Sequence, residues 1–130
     1  MCSSDLTGAA SILQMNLGRV GGLLEAKKIA GMAEAHYAQI APHLYCGPIE
    51  GAANIQLAAC SPNFLILEGI ENWSGFHAQI LKKPIRWEEG YVIPPTAPGL
   101  GVELDEAVAR KHAYVEDSPL HLEMIDRPLG

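Results

Sequence analysis

No stretch of this chain is long and apolar enough to cross a membrane, since runs such as Phe64 to Leu67 fall far short of the roughly 20 residues a bilayer span requires. Cysteine is scarce. Cys2, Cys46 and Cys60 are an odd number, with no CxxC pair and no histidine at ligand spacing, which argues against a disulfide framework and against a zinc site. Cys60 is expected to be a small buried apolar group. Cations are also few, nine Lys and Arg against fifteen Asp and Glu for a net charge of −6. Nucleic acids and anionic membranes reward clustered positive charge, so neither is an expected partner. The N-terminus has no cationic region leading into an apolar one, so nothing resembles a secretory signal and the expected compartment is the cytoplasm. What is present is ordinary for one globular domain: 130 residues, 48% hydrophobic and 18% charged.

The opening Met1-Cys2-Ser3-Ser4-Asp5-Leu6 fits no element that follows and resembles the translation of a sequencing adaptor. Residues 1–10 are therefore set aside as a non-native leader, with the expectation that the protein continues upstream. Ile12 to Asn16 reads as a strand covered on both faces, closed by Gly18 and Gly21-Gly22. Leu23, Ala26, Ile29, Ala30, Ala33 and Tyr37 recur at helical spacing, predicting an amphipathic helix over 23–37. Gln39 to His43 is a second strand with Pro42 near its end, where a missing N–H is harmless. Pro48 suits the first position of a helix whose inner face is Ile49, Ala52, Ala53, Gln56, Leu57 and Cys60, stopped by Ser61-Pro62-Asn63. Phe64 to Leu67 is a third, fully apolar strand leading into Glu68 and Gly69.

Two strand-helix-strand units in succession predict a parallel sheet with right-handed crossovers, and three strands cannot close it. Beyond Gly69 the pattern changes to a hairpin over 84–93 around Glu88-Glu89-Gly90, a Pro- and Gly-rich loop to Gly101, a short helix over 104–111, and an aperiodic tail from Val115.

The three strands end in Asn16, His43 and Glu68. In (β/α) barrels the reacting groups sit at the C-terminal ends of strands. A histidine beside a hydrogen-bonding partner can accept a proton, and a carboxyl group opposite can donate one or meet developing charge. Spacing alone fits plainer roles equally well: a loop or core histidine, a helix-capping Glu68, a turn-forming Asn16. Gly18, Gly21 and Gly22 depart from the dinucleotide-binding fingerprint and read as turn glycines. Trp73, Phe76 and Trp87 read mainly as packing residues, and His36, His77, His112 and His121 as surface residues.

The motifs Asn16-Leu17-Gly18-Arg19-Val20-Gly21-Gly22, Ala41-Pro42-His43 with Gly47-Pro48, Pro62-Asn63-Phe64-Leu65 before Glu68, and Ile93-Pro94-Pro95 followed by Pro98-Gly99-Leu100-Gly101 add specificity. Together, from Ile12 to about Tyr114, they resemble the C-terminal portion of the mandelate racemase and muconate lactonizing enzyme group of the enolase superfamily. The resemblance implies an α/β fold: the last three strands and two helices of a (β/α)7β TIM-like barrel over 11–114, with a hairpin and loop extension and a tail over 115–130. It places His43 at the family's base position, Glu68 at the carboxyl position beside the substrate's carboxylate, and Asn16 where the family has Asp. A neutral amide orients an imidazole without favouring its protonated form as a carboxylate does. A histidine acting on a leaving hydroxyl suits dehydration of a sugar acid.

The implied activity is a Mg²⁺-dependent aldonate dehydratase of the galactonate or gluconate type, a hydro-lyase working through an enediolate. A racemase or cycloisomerase is the alternative within the superfamily. The family's metal-binding carboxylates lie on the third to fifth strands and its lysine base on the second, outside this chain, so no metal ligands are expected here and the isolated chain is expected to be inert. The implied partner is a small-molecule sugar acid, and the full-length protein is expected to form homo-oligomers. A reading from another class is a non-catalytic α/β module that associates through its open sheet edges.

Overall fold

The computed structural model describes residues 9–69 and 73–113. The leader from Met1 to Leu6 with Cys2, and the tail from Val115 with His121, lie outside the described residues.

Strand β1 (Ile12–Leu13) pairs in parallel with β2 (Gln39–Ile40), with Ile12 opposite Gln39 and Leu13 opposite Ile40. Both are shorter than the sequence suggests. Their alignment nevertheless runs on, because Ala41 N–H donates to Leu13 O at 2.9 Å and His43 N–H to Met15 O at 2.9 Å. The third segment joins β2 on its other side through a single parallel bridge between Ile40 and Phe64. Ile40 N–H donates to Asn63 O and Leu65 N–H to Ile40 O, both at 2.9 Å. The sheet order is thus the sequential one expected of two βα units, but the expected strand over 64–67 is reduced to that bridge. Ile66 is 62% exposed, since among the described residues no further strand pairs beyond it to cover its side chain.

Two helices cover the sheet. Helix α1 (Leu17–Val20) is a single turn the sequence did not announce, because its glycines read as turn residues. It is closed by Gly21, whose φ of 105° is the left-handed cap that glycine adopts without penalty. Helix α2 (Leu23–Ala35) buries Ala26, Ala30 and Ala33. These small side chains let its backbone lie close to the sheet, over a core of Met15, Leu17, Ala38, Ile40 and Leu57. Leu23 and Tyr37 leave the expected face: α2 ends two residues early, and Tyr37, in the left-handed region at φ 57°, is 98% exposed.

Helix α3 (Pro48–Ala59) starts with Pro48 in its first turn as anticipated, but its buried residues are Pro48, Gly51, Ala52, Asn54, Ile55 and Leu57. Ile49 and Cys60 are exposed, correcting the expected inner face and the burial of Cys60. The physical reason is that α3 is covered on a second side: a Cβ at Gly51 would lie 3.3 Å from the Trp73 ring and 3.6 Å from Ile85. Cys60 itself is the C-terminal cap of α3, where Lys27 Nζ donates to its carbonyl at 2.6 Å. A cation at that end complements the helix dipole.

Helix α4 (Gly75–Gln79) follows, then strands β3 (Trp87–Glu88) and β4 (Tyr91–Val92) as an antiparallel pair. Glu89 (φ 50°) and Gly90 (φ 83°) make the two-residue turn with both φ positive that the right-handed twist of a hairpin favours. A Cβ at Gly69 would meet the Trp87 ring at 2.7 Å, so the hairpin packs directly against the residue after Glu68. Helix α5 (Glu106–Lys111) is capped by Asp105, whose carboxylate accepts Val108 N–H at 3.0 Å. The Phe76 ring centroid is 4.7 Å from that of His77 and 4.8 Å from that of His112, and His36, His77 and His112 are all exposed. Among the described residues no helix is long and apolar enough to cross a membrane.

Candidate functional site

The pairing of Met15 with His43 sets the tips of the first two strands side by side, and the bridge at Phe64 brings Glu68 up beside them. Asn16 begins α1: its Oδ1 accepts Arg19 N–H at 3.0 Å, a helix N-cap contact. Its Nδ2 is thereby turned away from α1 and stands 3.1 Å from His43 Nδ1 and 3.5 Å from Cys46 Sγ. On the far side of the ring, His43 Nε2 is 3.7 Å from Glu68 Oε2, too long for a direct hydrogen bond but close enough for both to touch one bound oxygen. The three residues singled out from the sequence therefore form one row, Asn16, His43, Glu68, with the last two partly exposed.

Glu68 is held from two directions. Its Oε2 accepts Leu44 N–H at 3.1 Å and Gln14 Nε2–H at 3.3 Å. Gln14 was not singled out from the sequence, although it lies two residues before Asn16 in a segment of alternating side-chain direction.

Glu50 was also missed. It sits in the first turn of α3 and accepts Gly18 N–H at 3.1 Å, tying α1 to α3. A Cβ at Gly18 would lie 3.2 Å from Glu50 Oε2, so glycine leaves room for this contact. Burial and then the hydrogen bond and charge of Glu50 push the Cys46 thiol above its ordinary pKa, which keeps it protonated beside Asn16. Only its proximity to Gly47-Pro48 could have flagged Cys46, and cysteine beside a helix start is too common a pattern to carry that inference. The Trp73 indole N–H donates to Cys46 O at 3.2 Å, so Trp73 braces the loop under the site.

Magnesium takes six oxygen ligands and is held through carboxylates. Among the described residues no group of three or more His, Cys, Asp or Glu is arranged to hold a metal ion, so the residues at these tips do not by themselves fit a magnesium site.

Residues 6–108 match the family model described as Enolase C-terminal domain-like. The chain is 42% identical over 109 residues to a D-galactonate dehydratase from Ralstonia nicotianae, covering 78% of this chain and 28% of that protein. The crystal structure of a mandelate racemase/muconate lactonizing enzyme-type protein from Burkholderia SAR-1 superposes with a TM-score of 0.82 at 61% identity, over 96% of this chain and 31% of that one. An enolase from Pantoea ananatis, solved with bound D-gluconate and Mg, superposes with a TM-score of 0.76 at 28% identity, over 83% of this chain and 26% of its own. The chain thus spans under a third of the length of these relatives.

Proposed function

The chain belongs to the Enolase C-terminal domain-like family, within the mandelate racemase/muconate lactonizing group of the enolase superfamily, and from that premise we propose that it supplies the last strand tips of a sugar-acid dehydratase. In this reading residues 11–114 form the C-terminal part of the barrel, and the substrate is an aldonate bearing a hydroxyl on the carbon beside its carboxylate and another on the next carbon. The reaction removes the proton beside the carboxylate and the hydroxyl from the neighbouring carbon. Water leaves, and the resulting enol becomes a 2-keto-3-deoxy acid.

The observation that carries the reading is the placement of His43 Nε2 and Glu68 Oε2, 3.7 Å apart, where both can reach one oxygen substituent of a bound acid. The bonds from Leu44 N–H and Gln14 hold the carboxyl group of Glu68 in place without closing that gap. The name of the Ralstonia relative and the D-gluconate bound to the Pantoea structure support an aldonate rather than an aromatic or lactone-forming acid. The Pantoea structure also contains magnesium. A divalent cation lowers the cost of ionising the carbon beside a carboxylate, and the described residues do not by themselves fit that ion.

The test is to express the protein encoded by the whole reading frame that carries this chain and to screen it with Mg²⁺ against a panel of aldonates for 2-keto-3-deoxy acid formation. Loss of water from an aldonate supports the proposal. Inversion or exchange at the carbon beside the carboxylate without loss of water would assign it to racemisation instead, and no turnover of any acid sugar would remove the reading.

A further inference from the structure

Asn16 has a definite polarity. Its Oδ1 is committed to the backbone N–H of Arg19, which can only donate, so the atom facing His43 Nδ1 is the amide nitrogen, which also can only donate. Two donors cannot share a hydrogen bond. His43 Nδ1 must therefore offer its lone pair, and in the neutral ring the proton resides on Nε2. A carboxylate at position 16 would impose the reverse, taking a proton from Nδ1 and leaving the Nε2 lone pair free.

We infer that Asn16 is a positioning residue that fixes His43 as its Nε2–H tautomer, so that His43 presents a hydrogen-bond donor to the substrate and is not the base that removes the proton beside the carboxylate. This deepens the dehydratase reading and rests on it for the identity of the substrate, but not for the state of the ring. With Nδ1 accepting from Asn16 and Nε2 carrying a proton, the ring has no lone pair directed into the space between His43 and Glu68. What it can do there is hold an oxygen: the hydroxyl that leaves, or the oxygen on which negative charge develops. Removal of the carbon-bound proton then falls to a group outside the row of Asn16, His43 and Glu68.

The experiment reads the ring directly. The full chain is labelled with ¹⁵N-histidine and two-bond ¹H–¹⁵N correlations are recorded at a pH where the rings are neutral. The His43 signals are identified by their loss in H43Q. In the wild-type chain His43 is expected to show a pyrrole-type Nε2 and a pyridine-type Nδ1. In N16D, which keeps the N-cap acceptor, the pattern is expected to reverse. In N16S, which keeps a cap but is too short to reach the ring, it is expected to become mixed. A wild-type ring protonated on Nδ1, or an N16D ring unchanged from wild type, overturns the inference.

None of these readouts needs substrate, so the tautomer can stand while the dehydratase reading fails, and the reverse. In the protein encoded by the whole frame, a second comparison separates donor from base. The side-chain N–H of H43Q can replace a donor, so H43Q should retain at least tenfold more activity than H43A. Equal loss in both variants indicates a base and also overturns the inference.

Discussion

Asn63 ties the third sheet segment to the end of α2, and replacing it isolates what that tie contributes. Its Nδ2 donates to Ala30 O and to Ala38 O, both at 3.0 Å, bridging the last turns of the helix and the start of β2. Two neutral hydrogen bonds contribute roughly 0.5–1.5 kcal/mol each. Asn63 Oδ1 is buried without a partner among the described residues, and truncation removes that cost, so Asn63→Ala should lose only about 1–2 kcal/mol. Asn63→Asp keeps the shape but turns an acceptor towards two carbonyl oxygens in a partly buried place. The loss should then reach about 3 kcal/mol or more at neutral pH. Protonation lets the new carboxyl group donate to one carbonyl, so its folded-state pKa lies above the unfolded value, and the deficit of N63D should shrink as pH falls towards the unfolded pKa. Urea unfolding at pH 7 and pH 4.5, with unchanged slopes, measures both variants against the parent. Were N63D as stable as N63A at pH 7, the bifurcated donor contact would have no part in holding the third segment.

Three further substitutions probe packing and the thiol at the site. Leu57→Ala, at a fully buried core position between α3 and the sheet, should cost about 2–5 kcal/mol in urea unfolding. Tyr37→Gly should stabilise the chain by up to about 1 kcal/mol, because the ring is exposed and the backbone sits in the left-handed region, and a lowered melting temperature would contradict this. In a Cys2→Ser background a maleimide should modify exposed Cys60 before part-buried Cys46. Because the Cys46 pKa is raised, less thiolate is present at a given pH, so its rate should keep climbing with pH, and Glu50→Gln should speed it by removing one of the groups that raise it.

The parallel order of the sheet, both long helices, the hairpin turn and the row of strand-tip residues were legible in the sequence, each for a local reason. Pro48 opens a helix, Glu89-Gly90 turns a hairpin, and an apolar run followed by a polar residue marks a strand tip. What periodicity could not supply was the second cover on α3, because Trp73 and Ile85 reach Gly51 from distant sequence and change which residues are inside. The same limit explains Cys60, placed inside by spacing and outside by its position at the helix end. Asn16 was singled out because the resemblance implies Asp at its position, but its hydrogen-bond polarity depends on Arg19 N–H, a contact created by a helical turn that the glycines of its segment concealed. Gln14 and Glu50 escaped notice because a polar residue in a strand or a helix start is ordinary until its partner is known.

The most direct measurement is turnover of an aldonate by the protein encoded by the whole frame, comparing the parent with H43A and E68Q at saturating Mg²⁺. Removing a group that meets charge or a proton in the transition state typically costs about 10²–10³-fold in kcat, and that loss is the predicted result for each variant. A parent that dehydrates aldonates while H43A and E68Q turn over at the parental rate would contradict the placement of the site at these strand tips.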